Sequence, residues 1–122
     1  MTQRRILSVE DNPVLQLMLR RLLVASDFEV LEAADGDEAV RMAEQERPDL
    51  ILMDVQLPTI SGLEAARAIK AQPELSAIPI VAVTGFALDG DDERCRAAGC
   101  DDYVSKPYDL DHLLAIIQRL LD

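Results

Sequence analysis

The chain has 122 residues, 49% of them hydrophobic, with 23 acidic against 12 basic residues and a formal net charge of −11. This length suits one domain with a single core, and the hydrophobic fraction excludes a disordered chain. The strong negative charge disfavours nucleic acid and anionic membranes as direct partners. It favours a cation or a protein with a basic surface.

The hydrophobic pattern alternates strand with helix five times, which is typical of an α/β fold with a mostly parallel sheet. Short apolar runs predict strands at residues 5–9, 29–33, 49–53, 80–83 and 103–105. A helix is predicted after each strand, the second ending near Glu46, the third near Ala71, and the fourth spanning 91–98 before Gly99.

Capping residues indicate where four of these helices begin. In chain order they are Asn12 followed by Pro13, the capping-box pairs Asp35 with Glu38 and Ser61 with Glu64, and Asp109. Helical spacing predicts the core faces of the first and last helices. The predicted faces consist of Leu15, Met18, Leu19 and Leu22 in the first helix, and Leu110, Leu113, Leu114 and Ile117 in the last.

Four of the five predicted strands end in polar residues of complementary chemistry. These residues are Glu10 with Asp11, Asp54, Thr84, and Lys106 with Pro107. Each alone is most simply a turn or capping residue. Together they are more informative, because right-handed crossovers bring the carboxyl ends of parallel strands to one edge, where ligands bind.

Three carboxylates at such an edge repel one another unless a cation lies between them. Glu10, Asp11 and Asp54 carry −3 formally, and a divalent ion together with Lys106 would bring the sum to zero. Oxygen ligands without histidine or cysteine favour Mg²⁺ over zinc. A carboxylate can also act as a phosphoryl-accepting nucleophile, so the pattern predicts a cation-binding, phosphoryl-accepting site.

Five motifs in order resemble the receiver domains of two-component response regulators. They are residues 10–12 (EDN), 53–58 (MDVQLP), 61–62 (SG), 83–85 (VTG) and 103–107 (YVSKP), and the resemblance covers essentially the whole chain. It implies a flavodoxin-like (βα)5 three-layer sandwich with a parallel five-stranded sheet in the order 2-1-3-4-5. Two positions depart from the common pattern: Glu10 stands where many relatives have Asp, and Gly85 where many have Ala.

The resemblance also implies roles for individual residues. Asp54 would be the phosphoacceptor and Asp11 a direct Mg²⁺ ligand, while Glu10 would act on the metal through water. The backbone carbonyl of Gln56 would be a further ligand. Lys106 would bind a phosphoryl oxygen and precede a cis peptide bond to Pro107. Thr84 would bind the phosphoryl group, and Tyr103 would be the aromatic switch residue that packs inward when Thr84 moves; its ordinary alternative is a half-buried strand residue.

A histidine kinase as phosphoryl donor and a phosphotransfer or output protein as further partner follow from the same resemblance. The fourth helix, fifth strand and last helix would form the contact face of a cytoplasmic monomer or weak dimer. Residues 1–122 are expected to form the receiver domain alone, most similar to single-domain regulators of the cell-cycle and phytochrome-linked kinds, although receivers attached to kinases share these segments. No signal peptide or membrane span is expected, and Cys95 and Cys100 are interpreted as reduced thiols.

Two alternatives belong to other functional classes. An aspartate-nucleophile phosphatase needs a second acid two residues after its nucleophile, where this chain has Gln56, and a flavodoxin needs a phosphate-binding loop where Glu10 and Asp11 stand. The other alternative is an interaction module on the same fold that works without phosphorylation. It is disfavoured because every residue that the chemistry requires is present.

Overall fold

The structure is a computed structural model that describes residues 3–84, 91–106 and 109–122. In these residues strands and helices alternate along the chain. The strands are β1 (Arg5–Val9), β2 (Glu29–Ala33), β3 (Leu50–Asp54), β4 (Ile80–Thr84) and β5 (Asp102–Ser105). The helices are α1 (Pro13–Ala25), α2 (Gly36–Glu46), α3 (Gly62–Lys70), α4 (Asp91–Ala97) and α5 (Leu110–Leu121).

The five strands form one parallel sheet in the order β2-β1-β3-β4-β5, which confirms the predicted topology. Neighbouring strands pair in step, with Val9 opposite Met53, Asp54 opposite Val83, and Thr84 opposite Ser105. β1 lies between β2 and β3 in the sheet, so the connection after β1 runs to one side and the connection after β2 returns to the other. At such a reversal the loops after adjacent strands separate and leave a crevice at the carboxyl edge of the sheet.

Helices cover both faces of the sheet, and each face has its own core. On one face the helices contribute small residues, Ala39 and Ala43 from α2 and Ala65 and Ala66 from α3. On the other face α1 and α5 contribute large aliphatic residues. Side chains alternate between the two cores along each central strand, as strand geometry requires. In β3, for example, Ile51 and Met53 face the alanine-rich side and Leu50 and Leu52 face the other.

The predicted caps are present, with one difference in detail. The side chain of Asn12 accepts hydrogen bonds from the amides of Val14 (2.9 Å) and Leu15 (3.2 Å), and Asp35 accepts one from the Glu38 amide (2.8 Å). The Glu38 carboxylate, however, accepts from the amide of Ala34 (2.7 Å) rather than from that of Asp35. Ser61 and Asp109 cap α3 and α5 in the same manner.

The predicted core faces of α1 and α5 were confirmed for Leu19, Leu113 and Ile117, which are buried, and for Leu22 and Leu114, which pack against the same core, but were wrong for Met18 and Leu110. In α1 the buried residues are Leu19 and Leu23, whereas Met18 is 46% exposed. In α5 the buried residues are Leu113, Ile116 and Ile117, and Leu110 is 37% exposed. Large aliphatic residues lie on more than one side of both helices, so helical spacing alone does not select every residue that packs on the sheet.

Strand ends differ from the prediction by one residue where they matter most. β3 begins one residue later than expected and includes Asp54, and β4 includes Thr84. Both residues still pair with the neighbouring strand, and both are buried. The polar residues are therefore the last members of buried strands rather than the first residues of exposed loops. Among the described residues there is no helix with the length and apolar character needed to cross a bilayer.

Candidate functional site

The carboxyl edge of the sheet brings the three predicted acids together. Because Val9 pairs with Met53, the residues that follow, Glu10 and Asp54, lie side by side. One carboxylate oxygen from each of Glu10, Asp11 and Asp54 lies within 4.8 Å of the other two. Glu10 and Asp54 are buried, whereas Asp11 is exposed at the mouth of the crevice. Their shared geometry is that of a group that could hold one metal ion.

Lys106 reaches the same cluster from the end of β5. Its Nζ donates hydrogen bonds to Asp54 Oδ2 and to Glu10 Oε1, each at 2.9 Å. The Lys106 amide donates to the carbonyl oxygen of Thr84 at 2.7 Å, which attaches the lysine to the end of β4. Its side chain is 22% exposed, so the ammonium is largely shielded from water and its charge acts on the acids at short range.

The second carboxylate oxygen of each buried acid accepts a hydrogen bond from the backbone amide two residues further along the chain. Glu10 Oε2 accepts from Asn12 (3.1 Å), and Asp54 Oδ1 accepts from Gln56 (3.0 Å). The Asp54 contact is the local hydrogen bond by which aspartate organises a turn. Both carboxylates are thus held from two sides, which fixes their orientation before any ligand arrives.

A glycine lets helix α3 approach the backbone of Asp54. The Gly62 amide donates to the Val55 carbonyl at 2.9 Å. A Cβ atom at position 62 would lie 1.9 Å from the Asp54 carbonyl oxygen, far inside any tolerated contact. Gly62 therefore lets α3 lie directly against the Asp54 backbone, and no other residue type fits there without displacing backbone.

The electrostatics of the site reflect an excess of negative charge. Burial raises the pKa of the Glu10 carboxyl; the nearby charge of Asp54 raises it further, against the hydrogen bonds from Lys106 and Asn12, which lower it. For Lys106, burial alone would lower the pKa, but the hydrogen bonds and charges of Glu10 and Asp54 outweigh burial and raise it. The lysine stays protonated, and its ammonium pairs with two of the three acids, Glu10 and Asp54.

The remaining predicted residues lie around this cluster. Thr84 is buried at the end of β4, and Gln56 is exposed in the loop after β3. Tyr103 is half-buried and packs against the alanine-rich core, which fits both the switch residue and its ordinary alternative. The phosphoryl contact of Thr84, the switch of Tyr103 and the carbonyl ligand of Gln56 stay predictions. The expected cis bond to Pro107 and the departure at Gly85 lie outside the described residues.

Two features of the site were missed by sequence reasoning. The first is the ion pair between Glu10 and Lys106, which are 96 positions apart and were given separate roles. The second is a buried network of Ser8 and Gln16 behind the acidic loop. The signal for the second was available: Ser8 is the one polar residue inside the first apolar strand, and a buried hydroxyl needs a partner.

Fold and site together define a signalling domain of the phosphoacceptor type. Residues 6–118 match the family described as the response regulator receiver domain, and the chain belongs to that family. Receiver domains are signalling switches of two-component systems that work through phosphorylation, not enzymes that act on a separate substrate. This membership excludes the flavodoxin and phosphatase alternatives.

The chain is similar to curated and structurally characterised members of the family. It is 43% identical over 118 residues to the polar-differentiation response regulator DivK of Brucella anthropi, covering 97% of this chain and 96% of that one. The receiver domain of a sensor histidine kinase from Pseudomonas aeruginosa, solved with magnesium coordinated in its active-site cleft, is 44% identical, with a TM-score of 0.91 and 98% of both chains covered. The chemotaxis response regulator CheY4 of Vibrio cholerae is 31% identical, with a TM-score of 0.92, over 98% of this chain and all of that one.

Proposed function

We propose that this receiver binds Mg²⁺ between Glu10, Asp11 and Asp54 and accepts a phosphoryl group on Asp54 from the phosphohistidine of a histidine kinase. One observation carries the proposal: three carboxylates that share a site within 4.8 Å, with the Lys106 ammonium 2.9 Å from Asp54. Support for the metal comes from the donor set, since carboxylate oxygens are the ligands that Mg²⁺ prefers. The magnesium bound by the Pseudomonas relative supports the same assignment.

Charge balance explains why these residues belong together. The three acids and Lys106 sum to a formal charge of −2, and a divalent cation brings this to zero. Replacing the Asp54 carboxylate charge by a phosphoryl group of about −2 leaves the site near −1. Mg²⁺ held by Glu10, Asp11 and Asp54 would supply a Lewis acid that neutralises charge on the phosphoryl oxygens.

The transfer itself forms one bond and breaks another. A carboxylate oxygen of Asp54 attacks phosphorus, the P–O bond forms, and the P–N bond of the phosphohistidine breaks. The imidazole leaves with the electron pair of that bond. Lys106 Nζ, which donates a hydrogen bond to Asp54 Oδ2, can donate to an incoming phosphoryl oxygen. The amide of Gln56 holds the other oxygen of Asp54 and so keeps the nucleophile aimed into the crevice.

The same arrangement accounts for a switch that resets itself. Water that enters beside the exposed Gln56 would hydrolyse the acyl phosphate and return Asp54 to its carboxylate. While phosphorylated, the group would draw the hydroxyl of Thr84 toward it and allow Tyr103 to pack inward. Lys106 couples this movement to the sheet, because its amide is bonded to the Thr84 carbonyl.

Among the residues that the structure describes, two surfaces are candidates for partner contacts. Val14 (65% exposed), Leu17 (39%) and Met18 (46%) form an apolar stripe on α1, beginning two residues after the capping residue Asn12. The stripe lies on the helix that follows the Glu10–Asp11 loop, and we assign it to the phosphoryl donor. The output contact is assigned to α4, β5 and α5, where His112 and Ile116 line a shallow hollow and Arg119 pairs with Asp102. A cytoplasmic histidine kinase domain as donor would place the protein in the same compartment.

Incubation with acetyl phosphate and Mg²⁺, followed by intact-mass measurement, tests the proposal. The wild-type protein should gain the mass of one phosphoryl group, and Asp54→Asn should gain none. Asp37→Asn, an exposed aspartate in the first turn of α2, is the matched control and should behave like the wild type. No mass gain by the wild type, or an equal gain by Asp54→Asn, would contradict the proposal and favour an interaction module that works without phosphorylation.

A further inference from the structure

Behind the acidic loop, one side chain of α1 connects the ends of two strands. The Gln16 side-chain amide donates hydrogen bonds from Nε2 to the carbonyl oxygens of Glu10 (3.2 Å) and Ala33 (3.3 Å). Its Oε1 accepts the hydroxyl of Ser8 at 3.1 Å. Because two carbonyl oxygens face Nε2, the amide has only one sensible orientation, and Ser8 must then be the donor to Oε1.

This network is anchored in the core rather than at the surface. Ser8 is fully buried in β1, one residue before the strand ends, with Leu52 opposite it on β3. A buried hydroxyl without a partner costs roughly 1–3 kcal/mol, so the hydrogen bond from Ser8 stabilises the observed position of the Gln16 side chain. Gln16 is itself half-buried and lies in the first turn of α1, where its own amide is bonded to the Asn12 carbonyl.

The network fixes the peptide group that joins the first two acids. The amide of Glu10 donates to the Ala33 carbonyl (3.0 Å), and the Glu10 carbonyl accepts from Gln16. The hydrogen bond to the Glu10 carbonyl restrains the peptide between Glu10 and Asp11, and the bond from the Glu10 amide restrains the peptide before it. The backbone from which the Asp11 side chain extends is thereby restrained as well.

We propose that Gln16 is a positioning residue for the metal site: through the Glu10 carbonyl it preorganises the Glu10–Asp11 loop for divalent-cation binding. The inference rests on the proposed function, since it concerns the same cation. Without Gln16, Asp11, which is exposed, would sample directions away from the other two acids. Ordering it would then be part of each binding event and would weaken the affinity. Residues that orient metal ligands typically change affinity 10–100-fold when removed.

Gln16→Met tests this, because methionine keeps the length of the side chain and removes both hydrogen-bonding functions. Magnesium affinity is measured by isothermal titration calorimetry with the magnesium ion alone. Gln16→Met should bind Mg²⁺ about tenfold more weakly than the wild type. Gln118→Met, at an exposed glutamine of α5, is the matched control and should bind with wild-type affinity. Urea unfolding in metal-free buffer separates a loss of stability from a loss of affinity.

A second measurement needs no variant. Thermodynamic coupling is reciprocal, so if the Gln16 contacts strengthen metal binding, bound metal must strengthen those contacts. Solvent exchange of the Gln16 side-chain amide, followed by NMR in the wild type, should therefore slow when Mg²⁺ is added, while that of Gln118 should not change. Unchanged exchange at Gln16, or Gln16→Met affinity within twofold of the wild type, overturns the inference and leaves the proposed function standing. If the wild type binds no Mg²⁺, both fail.

Discussion

Gly62→Ala adds one methyl group at the contact between α3 and the end of β3, at Asp54. The new Cβ would lie 1.9 Å from the Asp54 carbonyl oxygen and 2.8 Å from its carbonyl carbon, whereas real contacts of this kind stay above 3.0 Å. The helix or the end of β3 must therefore move by more than about 1 Å, and both are backbone in a packed region. In an open helix the same change would gain up to about 1 kcal/mol from alanine's helix propensity.

The expected cost follows from these distances. Overpacking of this kind typically costs about 1–3 kcal/mol, and the hydrogen bond from Gly62 to Val55, worth about 1 kcal/mol, is lost as well. We expect the free energy of unfolding to fall by about 3 kcal/mol, which corresponds to a melting temperature roughly 10 °C lower for a domain of this size. Urea unfolding followed by circular dichroism measures the change.

Gly36→Ala is the matched control, because Gly36 is likewise the first residue of its helix. Its Cβ would meet the Ile60 side chain at 2.5 Å and the Ile60 carbonyl oxygen at 2.7 Å, a less severe contact with a loop residue. Gly36→Ala should therefore cost less than Gly62→Ala, and it should leave phosphorylation by acetyl phosphate closer to wild type. A Gly62→Ala protein as stable as Gly36→Ala, or more so, would refute the packing argument.

Four further predictions follow from the site and its surroundings. Without metal, Asp54→Asn should raise the free energy of unfolding by about 1–2 kcal/mol, because it removes a negative charge buried beside Glu10. In excess Mg²⁺ the wild type should become more stable than the variant. Urea titrations with and without Mg²⁺ measure both differences. The pKa of Glu10 in the folded state is raised above 4.5, so its contribution to metal-free stability declines as the pH rises from 4.5 through the raised pKa. The free energy of unfolding of the wild type minus that of Glu10→Gln should show this decline. A difference that does not change with pH would contradict the prediction. Burial raises the pKa of Cys100 to about 12, so the native thiol should resist alkylation at pH 8 and react once the chain is unfolded; rapid native labelling would contradict the burial. Thr59 has a φ of 69°, which is unfavourable for a β-branched residue. Thr59→Gly should therefore raise the free energy of unfolding by about 0.5–1 kcal/mol, measured by thermal unfolding. An unchanged or lower stability would contradict this.

The sheet and the convergence of its polar ends could be predicted because both follow from local pattern and topology. Each central strand is a short run buried on both faces, and such runs with helices between them allow few arrangements. Once parallel order is accepted, Glu10, Asp54 and Lys106 must gather at one edge. Their spacing in the chain carries no information about contact, so this prediction depended on the fold.

The contacts within the site could not be predicted in the same way. That Lys106 binds Glu10 as well as Asp54 depends on side-chain reach across two strands, which no periodicity encodes. The burial of Leu23 in place of Met18 depends on how α1 is rotated against the sheet. The role of Gln16 needed the positions of three partners at once. Side-chain contacts of this kind emerge from packing, and the sequence supplies only the residues that can make them.

The central claim is that Asp54 itself carries the phosphoryl group, and the most direct measurement is to locate that group on the chain. After phosphorylation with acetyl phosphate and Mg²⁺, borohydride reduction converts an aspartyl phosphate to homoserine, which peptide mass spectrometry identifies by position. The account predicts homoserine at position 54 and nowhere else. Homoserine at position 11, or its absence from a protein that has gained the phosphoryl mass, would contradict it.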